Sequence, residues 1–107
     1  MAVSTITQSG QGAVLGTLSS SHTLASGQCY LVKVGRVVFL TMGITLTSAV
    51  SSYGVIATIP SGFRPYAQMW GTNRGNAYDI TAGGNIRLID STASGTSLNI
   101  SATYITA

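Results

Sequence analysis

Five of the seven charged side chains in this 107-residue chain fall between Arg64 and Asp90, together with its single Trp and two of its five Tyr. The ten residues Trp70-Gly71-Thr72-Asn73-Arg74-Gly75-Asn76-Ala77-Tyr78-Asp79 hold a carboxylate, a guanidinium, two amides and two aromatic rings. Those types suit recognition of a polyhydroxylated ring. Carboxylate, guanidinium and amide groups are planar and grip vicinal hydroxyls through two hydrogen bonds at once. An aromatic face covers the C–H side of such a ring at little cost in side-chain entropy. Trp70, Arg74, Tyr78 and Asp79, with Arg87 on a following strand, are the candidate saccharide-binding residues.

Each has an alternative reading. A strand Trp also serves as core or as an interface between subunits. Asp is depleted in strands, so Asp79 either holds a ligand or pairs with Arg87 across the sheet. Arg74 stands in a Gly/Asn turn, where a guanidinium is commonly just solvated. Tyr78 flanks Asp79 and points to the opposite face of its strand. Arg64, set between two prolines, is expected to tie down loop carbonyls.

Composition excludes other chemistry. Charged residues make up 7% of the chain, against roughly 25% in an ordinary soluble domain. There is no Glu, and the only acids are Asp79 and Asp90. One Cys and one His leave no donor set for a zinc or iron–sulfur site, and no cofactor is expected. His22 lies in a Ser/Thr run without a Gly-x-Ser-x-Gly elbow, so no hydrolytic triad and no enzymatic activity are expected. The net charge of +3 comes from scattered cations, whereas phosphate backbones need clustered ones, so no nucleic-acid partner is expected. No apolar run approaches the ~18 residues of a membrane span. The start, Met1-Ala2-Val3-Ser4-Thr5, lacks the basic and apolar regions of a signal peptide.

The elements that must position the candidates are strands. Fourteen Ser, fourteen Thr and thirteen Gly disfavour helices, while 45% hydrophobic residues argue against disorder. Short apolar pieces at residues 3–6 and 13–18 read as edge strands in an N-terminal strand or linker segment, residues 1–27. Residues 28–107 form the main domain. Residues 29–34 and 36–47 make a hairpin about Gly35. In its second arm Val38, Leu40, Met42, Ile44 and Leu46 share one face, and Val37 and Phe39 begin the other, as in a strand that starts deep and ends at an exposed edge. A bend is expected at Gly43. Cys29 reads as a buried strand thiol. Further strands are expected at residues 55–59, 68–72, 77–81, 86–89 and 97–105, with Leu98, Ile100, Ala102 and Tyr104 inward in the last. The pattern is all-β, an antiparallel sandwich or jelly roll.

Three pieces stand in a recognisable order: Tyr30-Leu31-Val32-Lys33-Val34-Gly35-Arg36-Val37-Val38, then Ile59-Pro60-Ser61-Gly62-Phe63-Arg64-Pro65, then Asp79-Ile80 with a Gly turn before Ile86. Over residues 28–105 this order resembles the C-terminal head domains of phage tail fibres and baseplate receptor-binding proteins of the lactococcal siphophage type. The resemblance implies a jelly-roll-like homotrimer in the virion, at the tail tip or baseplate, joined to an upstream tail or baseplate protein. It implies an adhesin that attaches to saccharides of the host bacterial surface without catalysis. A non-binding trimerisation module of the same tail structures is the alternative. In such heads an Asp, an Arg and an aromatic ring hold sugar near subunit boundaries. Asp79 matches that Asp, while Arg87-Leu88 stand where the following strand carries its aromatic.

Overall fold

The computed structural model describes residues 13–106. The apolar piece expected at residues 3–6 lies outside the described residues. Nine strands follow in order: β1 (Ala13–Leu15), β2 (Thr23–Leu24), β3 (Tyr30–Val34), β4 (Val37–Thr45), β5 (Gly54–Thr58), β6 (Met69–Asn73), β7 (Asn76–Ile80), β8 (Asn85–Leu88) and β9 (Ser97–Ile105). There is no helix among the described residues. The chain is all-β, as its composition requires.

All pairings are antiparallel and fall into two sheets. In the first, β4 is central. β9 pairs with its whole length, from Val37↔Ile105 to Thr45↔Ser97. Its other edge is shared by β3 and the short β2, and β1 lies outside β3. The second sheet runs β5-β8-β7-β6. Two antiparallel sheets sharing one core are compatible with a β-sandwich.

Alternation decides which side chains meet. Val38, Leu40, Met42 and Ile44 of β4, and Leu98 and Ile100 of β9, are all 2% exposed or less. Ile56, Ile80, Ile86 and Leu88 face them from the second sheet. A register shift between Val55 and Ala57 lets β5 bury two successive residues, Ile56 and Ala57, while Val55 stays outside.

The pairing of β4 with β9 runs unbroken through Gly43↔Asn99. Glycine serves close approach there: a Cβ at residue 43 would lie 2.8 Å from Gln28 Oε1 and 3.1 Å from Ala25 Cβ. One expectation about β4 is corrected: the apolar start of its second face is not deep. Val37 and Phe39 are 36% and 47% exposed. Cys29 is half-buried just before β3, its thiol 3.5 Å from the Gly43 carbonyl.

The loop Pro60-Ser61-Gly62-Phe63-Arg64-Pro65 is tied down by three side chains, which hold two of its carbonyls and that of Ile59 before it. Lys33 Nζ donates to Gly62 O at 2.6 Å, Tyr104 Oη donates to Phe63 O at 2.5 Å, and Arg64 Nε turns back to Ile59 O at 3.0 Å. Phe63 is buried beneath, with the Lys33 ammonium 4.9 Å from its ring centre. Arg64 thus does what its setting between prolines predicts.

Candidate functional site

The register of the second sheet draws a straight row across its outer face. Trp70 of β6 stands opposite Asp79 of β7, Asp79 opposite Arg87 of β8, and Arg87 opposite Val55 of β5. Residues directly opposite share a face, so residues up to 32 positions apart in the chain become neighbours. Four strands at the usual spacing give a strip about 14 Å wide.

The centre of the row is an ion pair. Arg87 donates from Nε to Asp79 Oδ1 at 2.9 Å and from Nη2 to Oδ2 at 2.5 Å. Gln68, just before β6, donates from Nε2 to Oδ2 at 2.8 Å. The Asp79 side chain is 1% exposed and that of Arg87 is 27% exposed. The hydrogen bond from Arg87 holds the Asp79 carboxyl below the usual carboxylate range; burial opposes this, and Gln68 adds to it. Arg87 is correspondingly pushed up by the same bond.

Aromatic rings flank the pair. Trp70, on the edge strand, is 67% exposed. At the other end Tyr53 lies with its ring centre 5.3 Å from the Arg87 guanidinium carbon. Tyr53 has a positive φ of 62°, an unusual backbone state for a residue with a side chain. Its amide donates to Leu88 O at 2.7 Å, fixing the turn beside β8.

The five sequence-derived candidates separate cleanly. Trp70, Asp79 and Arg87 come together, and the cross-strand pairing of the last two is as the spacing suggested. The side chains of two of the five, Asp79 and Tyr78, are buried. The two oxygens of Asp79 accept from Arg87 and Gln68, so the carboxylate grips the Arg87 guanidinium at two points. Tyr78 faces the core and is 7% exposed. Its ring lies across Gly71, where a Cβ would meet the phenol oxygen at 2.5 Å, and burial pushes its hydroxyl pKa up. Arg74 is exposed at the β6–β7 turn, four residues beyond Trp70, or about 13 Å along the hairpin.

Sequence reasoning missed Tyr53 and Gln68. The signal for Tyr53 was an aromatic in a Ser-Ser-Tyr-Gly turn, where a large apolar ring has no local reason to stand. For Gln68 no local signal exists, because its partner is fixed only by the β6–β7 register.

The row is a shallow strip. Two concavities among the described residues lie elsewhere, one lined by Leu18, Leu24, Cys29 and Leu31, the other by Val50, Ser51 and Thr92. Of the five cations, Lys33, Arg36, Arg64 and Arg87 are each engaged internally; Arg36 donates to Thr106 O from Nε and Nη2. The strip can therefore offer two aromatic faces and the unused N–H groups of one guanidinium. No family model matches the chain, and no curated protein matches it.

Proposed function

We propose that this chain is the receptor-binding head of a phage tail fibre or baseplate, and that it attaches the virion to saccharides on a bacterial surface. In this reading the sandwich is jelly-roll-like, works as a homotrimer at the tail tip and is continuous with an upstream tail or baseplate protein. The observation that carries it is the Trp70–Asp79–Arg87–Tyr53 strip. Exposed aromatics on both sides of a guanidinium held at two points by a carboxylate form a platform of the kind that sugar rings stack on. Asp79 orients Arg87; the remaining N–H groups of Arg87 address ring hydroxyls.

Fluorescently labelled protein applied to a panel of bacterial strains tests this. The expected result is labelling of particular strains, competed by their teichoic acid or polysaccharide extracts. Trp70→Ala should abolish the labelling while leaving the circular dichroism spectrum intact.

One observation favours the second reading, a trimerisation module without a ligand. The only acid of the strip is saturated within the fold, as a purely structural pair would be. That reading predicts no labelling of any strain together with retention of the chain in assembled virions.

A further inference from the structure

Among the described residues nothing covers the outer face of the first sheet, and it is apolar. Register places Leu15 opposite Val32, Val32 opposite Phe39, Val34 opposite Val37, and Val37 opposite Ile105. Tyr30 stands on the same face opposite Thr41. Beside Ile105, the Tyr66 amide donates to the Ile105 carbonyl at 2.8 Å and extends the row by one more residue. Exposure is 75% for Leu15, 57% for Tyr30, 47% for Phe39, 56% for Ile105 and 70% for Tyr66. Together with Val34 and Val37 these side chains leave on the order of 700 Å² in water, above the largest patch of a typical monomer and close to the ~800 Å² each partner buries in a stable interface.

No charged side chain projects from this face. Lys33 alternates to the inner side and reaches Gly62, and Arg36 at the border turns to Thr106 O. A partner selected by charge has nothing to read here. A second copy brings the same apolar, hydroxyl-edged surface, and apolar area gains from any contact that excludes water. The composition agrees: a chain with seven charges in 107 residues has little else with which to keep such a face soluble.

We infer that the outer face of the β1-β3-β4-β9 sheet is where copies of this chain pack against one another, with Leu15, Tyr30, Phe39, Tyr66 and Ile105 in the contact. The homotrimer of the proposed function supplies only the copy number; the surface is argued from the face itself.

The test is light scattering of the full chain at micromolar concentration, without any sugar. The expected mass is a multiple of the 11.0 kDa chain. Phe39→Asp should raise the dissociation constant at least about a hundredfold and give a folded monomer, while Val55→Asp, on the other sheet, should leave the assembly intact. If Phe39→Asp loses the β spectrum, Thr103→Lys, directly opposite Phe39, takes its place. A wild-type mass of one chain overturns the inference, as it would if residues 1–12 of the same chain covered the face. Assembly that survives both Phe39→Asp and Thr103→Lys also overturns it. Because no saccharide enters the measurement, these results leave the strain-labelling outcome standing or falling separately.

Discussion

The two outer faces are built from the same strand geometry and differ in what they spend it on. The first sheet presents aliphatic and aromatic side chains with no charge. The second presents the molecule's one ion pair among the described residues, flanked by Trp70 and Tyr53. An apolar face gains from any contact that excludes water, whatever its orientation. A row of one guanidinium and two rings gains only from a ligand whose hydroxyls and C–H surface fall in register with it. The difference separates assembly from recognition, and each variant below presses on one side of it.

The largest effect is expected at the pair. Arg87→Ala leaves the Asp79 carboxylate buried with Gln68 as its only donor, and an unpaired buried charge is strongly destabilising. It should lower the urea midpoint more than any substitution on the outer face of the first sheet, with an unchanged denaturant slope. Arg87→Lys cannot restore the two-point grip and should recover only part of the loss. A midpoint for Arg87→Ala equal to that of Phe39→Ala would erase the contrast between the faces.

The pair also sets an acid limb. The folded carboxyl of Asp79 lies below its unfolded value of about 3.9. Its contribution is therefore complete above that pH and is lost as the pH falls through the folded pKa. Thermal melts should be flat across neutral pH and drop below about pH 4, and Asp79→Asn should flatten the drop. At the alkaline end the sign reverses. Burial pushes the Tyr104 hydroxyl up to about 12, so its contribution is complete below about 10 and is lost as the pH rises through the folded value. Tyr104→Phe leaves Phe63 O without that donor and should cost about 1–3 kcal/mol at neutral pH. It should also remove the most alkaline step of the tyrosinate absorbance titration.

Much of the frame was legible in the sequence because period-2 patterning reports one-sided burial directly. The inward sets of β4 and β9 could be written down residue by residue. Two-residue β2 could not, since Thr23 and Leu24 carry no period and owe their state to Thr45 and Ile44 opposite. The reach of the apolar patterning misled as well. Val37 and Phe39 read as deep because patterning cannot tell a covered apolar face from an uncovered one. At the site, the Asp79–Arg87 pair was legible from two scarce charges on neighbouring strands. Its saturation by Gln68 and its stacking on Tyr53 were not, because both depend on register and on a positive-φ turn.

Trp70→Ala should separate recognition from stability. The ring is largely in water, so the change should stay within about 0.5 kcal/mol, yet strain labelling should vanish. Phe39→Ala should do the converse: labelling by whatever monomer remains is retained while the assembly weakens. If both substitutions reduce labelling and assembly alike, the two faces form one composite surface across subunits.

The smallest effect is expected at Arg74. Its φ of 52° is followed by 81° at Gly75, so both central residues of the β6–β7 turn are left-handed, the pattern that favours Asn-Gly. A left-handed arginine carries a steric cost that asparagine partly avoids by hydrogen bonding locally. Arg74→Asn should therefore stabilise the hairpin by about 0.5 kcal/mol, read as a small rise in the urea midpoint. Since Arg74 lies four residues beyond Trp70, past three further residue pairs, strain labelling should be unchanged. Loss of labelling in this variant would move the recognition surface from the centre of the second sheet to the tip of its hairpin.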